Sequence, residues 1–213
     1  MILTGLLGGS FNPAHQGHRA ISLAAIEALG LDDIWWLVSP GNPLKPTAGM
    51  APFAARFASG VKAAKGATIK VTGIERELGT RYTIDTLRAL IRRFPKRQFV
   101  WLMGADNLSQ FHLWRDWQAI AALVPIAVAT RPGYEEQARA APAMGWLRDH
   151  VLTADQAKGR SEWSVPALVL LSVPPDPTSS TAIRAANPDW YESADYMLYA
   201  NRLRDGVTRK PVT

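Results

Sequence analysis

Apolar runs and helical patterns alternate along this chain. Ile2–Leu7 is a short continuous apolar run of strand length. From Gly17 to Leu29, residues Ala20, Ile21, Ala24, Ala25 and Ala28 recur at helical spacing. Ile34–Val38 predicts a second strand, Phe53 to Lys65 a second helix, and Thr68–Ile74 a third strand. Thr83 to Phe94 sets Ile84, Leu87, Leu90 and Ile91 on one helical face. Gln98–Met103 reads as another buried strand, Trp117–Leu123 as a helix, and Pro125–Thr130 and Ala167–Val173 as strands. A helix starting at Ser179 or Ser180 and a final one over roughly Tyr191–Arg204 complete the pattern.

This rhythm predicts an α/β fold, a doubly wound, mainly parallel sheet with flanking helices. Such sheets bind ligands at the carboxyl ends of their strands, near the switch in strand order. Four polar segments fall there, after Leu7, Val38, Met103 and Val173, and are expected to share one site. Ser39 to Pro52 holds four prolines and two glycines and reads as an extended loop. Pro132 to Gly159 is long and mixed, with no clear element. No repeat or linker is visible, so residues 1–213 are expected to form one domain. Residues from about 178 onward would make its small C-terminal helical part.

Composition narrows the chemistry. Apolar residues make up 47% of 213 and charged residues 20%, the balance of a soluble globular protein. No apolar run reaches the length of a membrane span. The first run is too short for a signal-peptide core and has no basic residue before it. The chain is therefore expected to be cytoplasmic and free of the membrane. With no cysteine, disulfides, thiolate metal sites and cysteine nucleophiles are excluded. A net charge of +6 suits phosphate-bearing partners but does not separate a nucleotide from a nucleic acid.

Two of the four histidines lie in one stretch, Gly8-Gly9-Ser10-Phe11-Asn12-Pro13-Ala14-His15-Gln16-Gly17-His18. Gly8 and Gly9 would let the backbone turn sharply and approach a ligand. The unpaired N–H groups of the following helix attract anions. The glycines match neither the P-loop nor the dinucleotide fingerprint. Taken alone, His15 and His18 could be helix-start histidines, a metal pair lacking an obvious third ligand, or donors to phosphate. Near the other end, Ser179-Ser180-Thr181-Ala182-Ile183-Arg184 starts a helix that a serine can cap, with an arginine one turn in. By itself that pattern also fits simple capping.

Together, the two segments resemble the (H/T)xGH and SSTxIR motifs of the nucleotidyltransferase superfamily. Asn12 stands where that family usually has Asp, and Thr178 where it usually has Ile. Four further segments are similar to bacterial nicotinate-mononucleotide adenylyltransferases: Ser39–Lys45, Arg81–Leu87, Gly104–Leu108 and Phe111–Trp117, with Arg131-Pro132-Gly133 after a strand. The likeness runs from Leu3 to about Tyr199 and is weakest over Tyr134–Ser164.

The resemblance implies a Rossmann-like sheet and transfer of AMP from ATP to nicotinate mononucleotide, a step of NAD biosynthesis. It implies His15, His18, Lys45 and Arg184 as catalytic. ATP would be bound by Gly8, Gly9, Ser10, Phe11, Gly104, Asp106, Ser179, Ser180 and Thr181 together with the two histidines and Arg184. Lys45, Tyr82, Thr83, Trp114 and Arg131 would bind the acceptor, with Thr83 at a helix start receiving the carboxylate and Trp114 stacking on the pyridine ring. Thr83 also reads as a simple helix cap, Asp106 as another, and Trp114 as a core residue. Trp117 and His112 read as structural. Mg²⁺ would arrive with ATP, and no protein metal site is expected. Small molecules rather than nucleic acid are the implied partners, and a homo-oligomer is compatible. Nicotinamide mononucleotide or phosphopantetheine as acceptor stays open, as does a basic nucleic-acid-binding protein without activity.

Overall fold

The computed structural model describes residues 1–41, 49–130, 135–158, 164–174, 176–192 and 202–212. In chain order the elements are β1 (Ile2–Gly9), α1 (Gln16–Leu29), β2 (Asp33–Val38), α2 (Phe53–Ala64), β3 (Ile69–Thr72), α3 (Ile74–Leu78), α4 (Thr83–Arg93) and β4 (Arg97–Gly104). They continue with α5 (Ala105–Gln110), α6 (Trp117–Leu123), β5 (Ile126–Thr130), α7 (Glu135–Arg139), α8 (Met144–Leu147), β6 (Val151–Leu152), α9 (Ala154–Ala157), β7 (Leu168–Ser172) and α10 (Ser180–Ala186).

The strands form one sheet in the order β3-β2-β1-β4-β5-β7-β6. Every pairing among them is parallel. A parallel sheet covered by helices on both faces is buried twice, so its strands are apolar at nearly every position. Alternate side chains then serve opposite layers. Leu6, Leu37, Trp101, Met103 and Val128 pack on one face, with side chains from α4, α5, α6 and α8. Leu7, Trp36, Val38, Leu102 and Val169 pack on the other, with α1, α2 and α9. The strand order reverses between β1 and β4, and the carboxyl ends of these two central strands flank the crevice described below.

The opposite edge of the sheet is braced by Asp33, a buried carboxylate. Its oxygens accept from Thr4 Oγ1 and Lys70 Nζ, both at 2.7 Å, and from Arg97 Nη1 at 2.9 Å. Burial alone would raise its pKa, but these donors and charges hold it below the ordinary carboxylate value.

Three expectations change. The third strand stops at Thr72, because Gly73 and Ile74 turn into α3 with the Thr72 hydroxyl accepting from the Ile74 N–H at 3.1 Å. The Pro132–Gly159 stretch, described over residues 135–158, carries α7, α8, β6 and α9, elements too short to show a period. Of the final helix expected over Tyr191–Arg204, residues 193–201 lie outside the described residues. Its described ends, Tyr191–Glu192 and Arg202–Arg204, are not helical.

Instead, residues 202–212 fold back on themselves and onto β3. Arg204 bridges Pro211 antiparallel, and Gly206 N–H donates to Val71 O at 2.8 Å. Buried Asp205 fixes this return. Its carboxylate accepts from Thr72 Oγ1 at 2.9 Å, Gly73 N at 2.7 Å, Val207 N at 2.8 Å and Thr208 N at 2.9 Å. Asp205→Ala strands these donors and is expected to cost about 3 kcal/mol, read as a lower urea midpoint with an unchanged slope. A midpoint within experimental error of wild type would contradict it.

Candidate active site

The four polar segments do meet. A cavity of about 1440 Å³ opens at the carboxyl ends of the strands, lined by Gly8–Asn12 at the end of β1, Ser39 and Gly41 after β2, Gly104–Asn107 at the end of β4, and Pro174, Asp176 and Thr178–Thr181 after β7.

Its floor is the turn from β1 into α1. Gly8 and Gly9 do not make this turn. They are the last residues of β1, paired with Leu37 and Val38. Gly8 is needed for space, since a Cβ there would lie 2.7 Å from the Trp101 ring. The turn falls on Phe11, whose φ of 48° is costly for an aromatic residue. Packing holds it there. The buried Phe11 ring stacks on Trp36 at 5.2 Å and lies 4.9 Å from the His18 ring.

Asn12 ties the turn to the chain leading into α2. Its amide donates to Gly49 O at 2.9 Å and accepts from Ala51 N at 3.2 Å. A carboxylate could accept but not donate, so both halves of the amide are used. From the other side, Ser180 Oγ donates to Pro13 O at 2.8 Å and Arg184 Nη1 to Asn12 O at 2.6 Å. The two terminal motifs are therefore in direct contact.

The histidines form a reciprocal cap at the head of α1. His15 Nδ1 accepts from Gly17 N at 3.1 Å, and His18 Nδ1 accepts from His15 N at 3.2 Å. Each Nδ1 thus carries a lone pair, and each neutral ring keeps its proton on Nε2. The ring centroids are 4.0 Å apart. Gly17 permits this arrangement, because a Cβ there would meet the His15 ring at 2.9 Å. Burial, helped by the neighbouring His15, lowers the His18 pKa to about 3. Burial also lowers that of His15, against the opposing charge of Asp176. The pair is two uncharged N–H donors beside the open head of a helix.

Around the cavity, Ser179 is the N-cap of α10, its Oγ accepting from Ala182 N at 3.0 Å. Thr181 accepts weakly from Arg184 Nη2 at 3.4 Å. Gly104 precedes α5, and the Asp106 carboxylate folds back over it, within 2.5 Å of where a Cβ would sit. Neither Asp106 nor Thr83 is a cap. The N-caps of α5 and α4 are Gly104 and Tyr82, and neither makes a side-chain cap bond, so Thr83 opens α4 with its first N–H groups uncapped by a side chain.

Tyr82, Thr83 and Trp114 line the same end of the cavity. Trp114 stands edge-on to Phe111 at 5.4 Å and to Trp101 at 6.1 Å. Trp117 packs against Phe111 and Trp146, away from the cavity lining. His112 is likewise not part of that lining. Lys45 and Arg131 lie outside the described residues.

Several groups here escaped the sequence reading. Glu75 is buried at the Tyr82–Thr83 end, accepts from Thr86 Oγ1 at 3.1 Å, and has its pKa raised to about 7 by burial. Asp176 lies beside His15, and the Thr178 hydroxyl and N–H hold its pKa below the ordinary value. Two cavity-lining residues, Ser39 and Trp101, have a buried side-chain atom, Oγ and Nε1, with no hydrogen-bond partner among the described residues. Arg56 sits behind the turn. Its signal in the sequence is a charge flanked by apolar Phe53–Ala55 and Phe57–Ala58 in α2.

A cytidylyltransferase-like family model matches residues 6–186. A probable nicotinate-nucleotide adenylyltransferase of Erythrobacter litoralis is 60% identical over 212 residues, covering 100% of this chain and 93% of its own length. The chain belongs to the nicotinate-nucleotide adenylyltransferase family. Another protein of that name, from Parvibaculum lavamentivorans, is 54% identical over 84% of this chain and 90% of its own. The fold is shared with Plasmodium falciparum nicotinic acid mononucleotide adenylyltransferase complexed with NaAD. That structure has a TM-score of 0.64 at 16% identity, covering 87% of this chain and 83% of that one. Among the described residues, no helix is long and apolar enough to cross a membrane.

The His18 environment has a consequence for stability. With a native pKa near 3 against 6.5 unfolded, the unfolded chain takes up this proton first. Stability is then complete above the unfolded value and is lost as pH falls toward the native one, by on the order of 5 kcal/mol in total. His18→Gln is expected to flatten the dependence of unfolding free energy on pH in that window by about one proton. Equal slopes for the two proteins, measured by urea denaturation, would contradict this.

Proposed function

We propose that this protein transfers AMP from ATP to the 5′-phosphate of nicotinate mononucleotide, releasing pyrophosphate and deamido-NAD. The observation that carries the reading is the pair of uncharged Nε2–H imidazoles at the head of α1, in one cavity with the Ser179–Arg184 segment, which holds the Asn12 and Pro13 carbonyls of the turn leading into them. The family supports the reaction. The histidine turn and Tyr82, Thr83 and Trp114 line one cavity of about 1440 Å³.

The acceptor phosphate is already anionic at neutral pH, so the reaction needs no strong general base. An oxygen of that phosphate bonds to the α-phosphorus of ATP, the bond from this phosphorus to the bridging oxygen breaks, and pyrophosphate leaves with its electron pair. Catalysis rests on alignment and on charge stabilisation in the transition state. His15 and His18 donate to the α-phosphate oxygens. Being uncharged, they avoid binding the ground-state phosphate as tightly as a fixed cation would. Ser179, Ser180 and Thr181 face the β- and γ-phosphates, and Arg184 offers them the N–H groups that Asn12 and Thr181 leave unused. Gly8, Gly9, Ser10 and Phe11 form the floor beneath the phosphates, and Gly104 and Asp106 border the adenosine. On the strength of the resemblance alone, Lys45 carries positive charge to the reacting phosphates and Arg131 takes part in binding the acceptor.

At the acceptor end, Thr83 and the uncapped start of α4 receive the nicotinate carboxylate, Trp114 covers the ring, and Tyr82 completes the wall. Mg²⁺ supplies charge neutralisation for the triphosphate. On the strength of the resemblance, the cation would be held largely by the phosphates of ATP and water rather than by a protein cage.

The test is pyrophosphate release with ATP and Mg²⁺ and, in turn, the acid mononucleotide, its amide and phosphopantetheine. The acid is expected to be preferred, and His18→Ala to fold normally while losing about 10²-fold in kcat. Preference for the amide would overturn the acceptor assignment, and near-normal turnover of His18→Ala would overturn the mechanism.

A further inference from the structure

Arg56 is among the most deeply buried charges in the protein. It lies on α2 between Ala55 and Phe57 and is 2% exposed. Among the described residues no carboxylate pairs with it. Its hydrogen bonds go to main-chain carbonyls: Nε to Ala51 O at 3.0 Å, and Nη1 to Ser10 O at 2.7 Å and Ser39 O at 2.9 Å. The Phe53 ring lies 5.5 Å from the guanidinium carbon. Burial pulls the pKa down to about 10, so the group is still a cation at neutral pH.

Those three carbonyls are not scattered. Ser10 follows β1, Ser39 follows β2, and Ala51 leads into α2. Ser10 and Ser39 line the cavity. A surface that receives phosphate must show N–H groups and hide carbonyl oxygens, whose dipoles repel anions. In a trans peptide the C=O and N–H point opposite ways. Drawing the Ser10 carbonyl back onto Arg56 therefore leaves the Phe11 N–H on the other side of that peptide. Holding the Ser39 carbonyl removes a second repelling dipole. Among the described residues the guanidinium has no counter-ion, and a buried charge without one is costly. A polyphosphate in the cavity would supply the missing negative charge.

We propose that Arg56 is a positioning residue for the phosphates of the bound nucleotide, turning the Ser10 and Ser39 carbonyls away from them while the phosphates complete its charge. This rests on the ATP reading above. The adenosine moiety is not involved, so the proposal separates two affinities that a merely structural arginine would affect alike.

The experiment is calorimetric titration of wild type, Arg56→Lys and Arg56→Gln with ATP–Mg²⁺ and with adenosine, alongside thermal melting. Arg56→Lys keeps the charge but loses the second nitrogen, Nε, that holds Ala51 O and fixes the guanidinium plane, and is expected to weaken ATP about threefold. Arg56→Gln removes the charge and is expected to weaken ATP more than about twentyfold. Adenosine affinity should be unchanged in both. If either folded variant binds ATP as wild type does, or loses ATP and adenosine affinity equally, the proposal is overturned. Arg56→Lys decides the matter alone should Arg56→Gln not fold. Wild-type protein that fails to bind ATP would instead overturn the adenylyl-transfer reading on which the proposal stands.

Discussion

The site depends on the turn between β1 and α1 keeping one unfavourable backbone conformation. Phe11 sits at positive φ, a position an aromatic residue avoids unless its surroundings dictate it. Here the ring is fully buried against Trp36 and His18, so releasing the backbone would mean unpacking the core. Around that fixed point the carbonyls are gathered outward. Arg56 takes Ser10, Ser180 takes Pro13 and Arg184 takes Asn12. The histidines that follow cap the helix with their Nδ1 atoms and keep their Nε2 protons for a ligand.

This arrangement explains why segments so far apart in the chain form one site. Arg184 and Ser180 are as much supports of the first motif as candidate ligands of phosphate. α2, which contributes no residue to the family motifs, contributes the arginine behind the turn. The rest of the fold keeps these parts in register. Parallel strands buried on both faces place four loop starts side by side, and the Asp33 cluster holds the opposite edge of the sheet together.

Much of this was legible in the sequence, and for a physical reason. Leu3–Leu7, Ile34–Val38 and Phe99–Met103 are buried on both faces, and the stretches around them therefore read as apolar runs. α1 and α4 have one buried face and read as helices. The convergence of the loops after Leu7, Val38, Met103 and Val173 followed from that pattern. Strand order did not, because pairing is a property of space rather than of local sequence. α7, α8 and α9 are one to two turns long, too short to display a period.

Within the site, the histidine pair and the Ser179–Arg184 segment were recognisable as chemistry, but their mutual hydrogen bonds were not. The glycine pair suggested the turn, yet Phe11 makes it, since tertiary packing outweighs local preference there. Asn12 stands where the family pattern has Asp, and both ends of its amide are in use, on Gly49 and Ala51. The uncharged state of His18 is the property on which the account of catalysis turns, and ¹⁵N NMR of the histidine side chains reads it directly. At about pH 5, where an ordinary imidazole is mostly protonated, His18 should still show one protonated and one bare ring nitrogen, with the proton on Nε2. An imidazolium at that pH, or a proton on Nδ1, would contradict it.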